Sequence, residues 1–229
     1  MKLFSNSLPL LLASTLSAWC GSLEFTETSK QVDVPAKHTR VVVEYPFTNT
    51  SDKPVSIRRF DAPCACLTAE ITGGIKNSKG EVEFSPGEAG IIKGILDLGK
   101  FKGTVEKKIL VWTDSDKDSS PSIRLSMTVK VPYQIAAFPN ALSWKKGGET
   151  ETKEFLIKVM DENPINILTH KSSSPAITYE IETIKEGFEY KVTVTPKDTA
   201  KTTFASIQFT TDSKNPRSKR VTCFMSVKP

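Results

Sequence analysis

Two cysteines, Cys64 and Cys66, stand one residue apart in D-A-P-C-A-C-L-T-A-E, residues 61–70. Thiols this close can join as a disulfide, cycle between thiol and disulfide forms, or bind a soft ion such as copper(I) or zinc as thiolates. In an extended strand their α-carbons would lie about 6.6 Å apart, near the upper limit for a bridge, with the Cβ atoms splayed too far. A bridge therefore needs a kink, which Pro63 can help to provide, and a strained bridge is more readily reduced. As a zinc centre the pair is two ligands short of closure. Nothing in the spacing of His38 and His170, the only histidines, places either beside it. The plain alternative is a local disulfide, or two half-buried thiols, at the end of a strand. Cys64 and Cys66 thus stand as a candidate redox or disulfide pair and as weak metal candidates, with no catalytic residue and no cofactor expected.

Other chemistry finds little material. The chain has no G-x-S-x-G elbow, no H-E-x-x-H and no phosphate-cradling glycine loop, and two histidines supply little general base. Asp114, Asp116 and Asp118 alternate in D-S-D-K-D, but the stretch lacks the glycine and terminal glutamate of a calcium loop, and Lys117 intrudes, so it reads as a solvated turn. Lys214, Arg217, Lys219 and Arg220 read as a basic solvated rim. A net charge of only +5 argues against a nucleic-acid partner. Trp144 reads as a cap on a sandwich edge rather than an exposed anchor.

The elements that must position these residues are strands. Fourteen prolines and twelve glycines sit mainly between short runs rich in Val, Ile, Thr and Phe. Ile123, Leu125, Met127, Val129 and Val131 alternate with Arg124, Ser126, Thr128 and Lys130, so one face is core and the other wet. The same period of two runs through Val41-Val43-Tyr45-Phe47, Phe188-Tyr190-Val192-Val194 and Val221-Cys223-Met225-Val227. Broken by turn clusters such as Ser85-Pro86-Gly87-Glu88, these runs describe an antiparallel β-sandwich. Cys223, on the apolar face of its run, reads as a small core residue.

An internal repeat sets the domain number. E-Y-P-F-T-N-T-S-D-K-P-V-S-I (44–57) aligns with E-F-L-I-K-V-M-D-E-N-P-I-N-I (154–167), pairing Glu44 with Glu154, Pro54 with Pro164 and Ile57 with Ile167. At the same shift Pro86 meets Pro196, Cys64 meets Ser174 and Cys66 meets Ala176. Val111-Trp112-Thr113-Asp114-Ser115 then meets Phe209-Thr210-Thr211-Asp212-Ser213 at a smaller shift, so the second copy has lost a segment; Gly94 to Gly103 is the expected extra hairpin. The reading is an all-β chain of two tandem immunoglobulin-like antiparallel β-sandwiches, residues 23–132 and 134–229, with a short and therefore stiff join at Pro132-Tyr133.

The stretch N-T-S-D-K-P-V-S-I-R-R-F-D-A-P-C-A-C-L-T-A-E, followed by F-S-P-G-E-A-G and F-K-G-T-V-E-K-K-I-L-V-W-T-D, resembles the bacterial secreted immunoglobulin-like family called domain of unknown function 1573. That family is similar in turn to Hydin-type and major-sperm-protein immunoglobulin-like domains. The resemblance implies a fold and an envelope location, and no activity. The family's usual Cys-Gly-Cys is Cys64-Ala65-Cys66 here.

The N-terminus carries the expected address. Lys2 and the apolar run Leu8-Pro9-Leu10-Leu11-Leu12-Ala13 read as a signal peptide over residues 1–20, cut after Ala18 by first choice and after Cys20 by second. Trp19 before Cys20 argues against lipoprotein anchoring through that cysteine. If Cys20 leaves with the leader, three cysteines remain, and a free core thiol at Cys223 accounts for the odd one. No other run is long enough for a transmembrane helix. The expectation is an exported, periplasmic or extracellular, non-enzymatic binding or scaffold module whose partner is a protein or glycan of the cell envelope. The alternative is a thiol redox or copper- or zinc-handling protein centred on Cys64 and Cys66.

Overall fold

The structure, a computed structural model, describes residues 22–229; the expected leader and Cys20 lie outside them. The first copy runs through β1 (Leu23–Phe25), β2 (Ser29–Asp33), β3 (Arg40–Asn49), β4 (Val55–Asp61), β5 (Leu67–Thr72), β6 (Ile75–Lys76), β7 (Val82–Phe84), β8 (Ala89–Asp97), β9 (Gly103–Thr113) and β10 (Ile123–Val131). The second runs through β11 (Ile135–Phe138), β12 (Ala141–Lys145), β13 (Lys153–Val159), β14 (Ile167–Ser172), β15 (Ile177–Lys185), β16 (Glu189–Pro196), β17 (Thr203–Thr211) and β18 (Arg220–Lys228). There is no helix among the described residues.

Each copy is a sandwich of two sheets. In the first, β1-β3-β8-β5 faces β2-β10-β9-β4-β7-β6; in the second, β11-β13-β16-β15 faces β12-β18-β17-β14. The two tandem immunoglobulin-like sandwiches expected from the alternation are present. Not every pairing is antiparallel: β12 lies parallel to β18, with Leu142 opposite Met225 and Trp144 opposite Val227, and β2 runs parallel to β10, the Ser126 N–H donating to Thr28 O at 2.8 Å and the Val34 N–H to Lys130 O at 3.1 Å. In both copies the opening strand is divided between sheets, β1 and β11 pairing with β3 and β13 while β2 and β12 join the opposite sheet. By compactness the chain separates into one unit containing residues 42–95 and 107–127 with the described residues up to 30, and another containing 31–41, 96–106 and 128–229. That division threads through β2, β3, β8, β9 and β10 rather than falling at one point.

The cores follow the period of two. In β3 the side chains of Val43, Tyr45 and Phe47 are buried while Val42, Glu44 and Pro46 are exposed. Phe47 bridges Phe25 and Phe84, with ring centroids at 5.0 and 4.8 Å. Tyr45 is fully buried, and its hydroxyl donates to the Ser126 carbonyl at 2.7 Å, giving its one polar atom a partner. In the second copy Phe155 stands at the aligned position and meets Phe209 edge-on at 6.2 Å.

The repeat extends to irregularities. The register of β4 on β9 shifts between Ile57 and Arg59, and that of β14 on β17 shifts between the aligned Ile167 and Thr169. Ile57 faces Thr113 and Ile167 faces Thr211, both threonines being buried. Beyond them, the Asp114 N–H donates to Ser56 O at 2.9 Å, and the Asp212 N–H to Asn166 O at 3.1 Å.

Two alignment details are corrected. Sheet order makes β16 the counterpart of β8, so Pro86, in the turn before β8, is not the counterpart of Pro196, which ends β16. The extra segment is likewise not Gly94 to Gly103, since the β8–β9 turn has its equivalent between β16 and β17; it is the β6–β7 hairpin. Gly73 and Gly74, with φ of +94° and +68°, turn β5 into β6. A Cβ on Gly74 would lie 2.8 Å from Glu83 O and 2.9 Å from the Phe84 ring, so only glycine allows this close return.

Candidate functional site

Cys64 and Cys66 lie where the chain leaves one sheet of the first sandwich for the other, between β4 and β5. A hydrogen bond from Leu67 N to Cys64 O, 3.0 Å, closes a turn over Cys64-Ala65-Cys66-Leu67, and buried Leu67 then opens β5. The turn brings the two α-carbons to 5.2 Å, and the sulfurs are joined as a disulfide. An extended strand could not have done this. The Cys66 N–H also points at Cys64 Sγ, 3.1 Å away. Both cysteines are half-buried and Ala65 between them is exposed. In this state neither sulfur is a thiolate, so soft-metal ligation would require prior reduction.

The remaining candidates disperse. His170 shares a 2.9 Å hydrogen bond between its Nδ1 and the Tyr179 hydroxyl in the second sandwich, and His38 is exposed. No group of three or more His, Cys, Asp or Glu among the described residues is placed to hold a metal ion. Cys223 is a free, fully buried thiol, its pKa pushed up to about 12 by desolvation. Trp144 is buried, and its ring N–H donates to Glu151 O at 2.7 Å, as befits an edge cap.

The D-S-D-K-D turn is more organised than a solvated loop. Arg58 reaches into it, its Nε donating to Thr113 O at 2.9 Å and its two terminal nitrogens to Asp116 O at 2.6 Å and Asp118 Oδ1 at 3.0 Å. The guanidinium thus occupies two carbonyls and one carboxylate of this turn. Asp116 Oδ2 accepts from Thr113 N at 2.8 Å and Ser122 Oγ at 2.9 Å. Burial alone would raise the Asp116 pKa, but these bonds outweigh it and hold the carboxyl below its ordinary value. In the second copy, Arg217 is buried rather than part of a solvated rim.

The surface that sequence reasoning passed over is the outer face of β12-β18-β17-β14. Phe204 on β17 and Phe224 on β18 are 70% and 41% exposed, with centroids 5.9 Å apart and planes 25° apart. Phe224 pairs with Ser206 and Phe204 with Ser226, so the rings meet on a diagonal across two strands. Ala141 of β12 lies on the far side of Phe224. The only signal in the sequence was an aromatic at an outward position of each alternating run, where a polar side chain is expected.

Compared with known proteins, residues 23–131 match the family DUF1573, described as "Protein of unknown function", so the resemblance carried by the Cys-Ala-Cys stretch is shown for the first sandwich. No curated protein matches. Among solved structures the chain is similar to a protein of unknown function from Porphyromonas gingivalis W83, at 10% identity and a TM-score of 0.32, covering 90% of this chain and 100% of that one. It is also similar to the secreted serine protease VesC of Vibrio cholerae, at 11% identity and a TM-score of 0.36, covering 91% and 52%. A third likeness is to domains 4 and 5 of the S-layer protein SbsC, at 15% identity and a TM-score of 0.31, covering 72% of each chain.

Proposed function

We propose that this is an exported, non-enzymatic binding module of the cell envelope, and that it engages its partner through the open outer face of β12-β18-β17-β14. The observation that carries this reading is the exposed Phe204–Phe224 pair. Two near-parallel rings left in water on the outer face of a sheet retain apolar area that a partner can cover. A strand edge is the weaker route for binding. The register of edge strand β14 shifts between Ile167 and Thr169, and that of edge strand β15 between Thr183 and Lys185, where Glu180 and Glu182 add charge; such devices discourage strand addition. The test is co-sedimentation of the exported chain with isolated envelope material, beside a Phe204→Ala/Phe224→Ala variant. The reading expects the wild type in the pellet and the variant in the supernatant, and equal partitioning overturns it.

A second reading, thiol exchange at Cys64–Cys66, is favoured by the half-exposed corner the bridge occupies and by the sulfur-free corner at the same place in the second copy. Its test is equilibration with a glutathione redox buffer followed by thiol counting. A pair that stays oxidised under strongly reducing ratios rules this role out.

A further inference from the structure

The four strands β12, β14, β17 and β18 contain no Asp or Glu. Their partner sheet carries Glu154, Glu180, Glu182 and Glu189. The second sandwich is therefore charged asymmetrically, and its carboxylate-free sheet is the one that bears the aromatic pair.

The register maps the outer face row by row. In the central rows, Phe224 lies beside Ser206 and Ala141, and Phe204 beside Ser226, which neighbours Ser143 on β12. Toward one end, Lys228 stands next to Lys145. Toward the other, Gln208 lies between Lys171 and Thr222, and Thr210 between Thr169 and Arg220. Lys145, Lys171, Arg220 and Lys228 are all exposed. Along β18, Arg220 and Lys228 each lie about 13 Å from Phe224. The face thus has aromatic rings at its centre, hydroxyl and amide side chains around them, and cations at both ends.

From this we infer that the face binds an acidic polysaccharide, a deepening that rests on the binding reading proposed above. The C–H face of a sugar ring packs on an aromatic ring. Its hydroxyls match Ser143, Ser206, Ser226 and Gln208, and carboxylates along the polysaccharide meet the lysines and Arg220 with no carboxylate on the four strands to repel them, the bordering Glu151 being paired with Lys153. A purely apolar protein partner would not use the terminal cations. A simple polyanion would not use the rings.

The experiment titrates the exported chain with polygalacturonate, alginate and hyaluronate, with neutral dextran and with polyglutamate, at physiological salt. The inference expects at least one acidic polysaccharide to bind, and dextran and polyglutamate to bind at least tenfold more weakly. Phe204→Ala/Phe224→Ala and Lys145→Glu/Lys228→Glu should each weaken that binding at least tenfold. All four residues are exposed, and an unchanged melting temperature confirms that each variant is folded. Equal binding of polyglutamate overturns the inference, because charge alone would then suffice. Failure of all three acidic polysaccharides also overturns it; if the Phe204→Ala/Phe224→Ala variant is still released from envelope material, the binding reading survives and the partner is a protein or neutral glycan. If that release is lost as well, both readings fall together.

Discussion

Cys64 Sγ and Ser174 Oγ hold the same place in the two sandwiches: each accepts the backbone N–H two residues on, from Cys66 at 3.1 Å and from Ala176 at 3.2 Å. Each corner leads into a buried aliphatic residue, Leu67 or Ile177, at the start of the next strand. The second copy makes its corner with a hydroxyl, so the first does not depend on its bridge for this geometry. Cys64→Ser with Cys66→Ala should therefore fold, losing about 1.5 kcal/mol, the unfolded-state entropy that so short a loop supplies. Urea denaturation of the oxidised wild type and the variant measures this. A loss of about 4 kcal/mol or more would make the pair structural.

Gly90 of β8 faces the aromatic cluster of the first sandwich. A Cβ there would lie 2.5 Å from Phe47 and 2.6 Å from Phe84, ring atoms already packed against each other. Gly90→Ala should destabilise the protein by about 1–3 kcal/mol, read as a lower denaturation midpoint with an unchanged slope.

Cys223 should be inert in the native state. Its thiol is fully buried and its pKa stands at about 12, so almost no thiolate is present at neutral pH. Under non-reducing conditions, a thiol reagent should label Cys223 only after denaturant is added. Fast native labelling would place it outside the core.

The Asp116 turn predicts an acid-sensitive contribution. The folded-state pKa is depressed, so the stability it contributes is present above the ordinary carboxylate value and is lost as pH falls through the folded value. Asp116→Asn should therefore reduce the loss of stability measured between neutral pH and about pH 3. Arg58→Ala should cost about 1–2 kcal/mol through its bonds to the Thr113 and Asp116 carbonyls, the ion pair with exposed Asp118 adding little. Calcium should not restore the loss, because the missing part is a hydrogen-bond donor.

Alternation along Val43-Tyr45-Phe47 and Val221-Cys223-Met225 made the strands and their core faces legible, since a slip of one residue would turn every apolar side chain to water. The repeat from Glu44 to Ile57 was legible for a related reason: both copies carry the same register shift, at Ile57 and Ile167, over a buried threonine. The extra hairpin was misplaced because an ungapped match cannot tell where a loop left the plane, whereas the positive φ of Gly73 and Gly74 turns the chain there. The disulfide stood as one of three readings until the turn at Cys64–Leu67 shortened the α-carbon separation to 5.2 Å. Residue order by itself thus determined which side chains face inward, because that depends on a local period. Only the tertiary structure decided which outward residues meet: Phe204 and Phe224 become neighbours through the pairing of β17 with β18, and Lys145 reaches Lys228 through a parallel strand. Those contacts are set by register between distant segments, which no local pattern encodes.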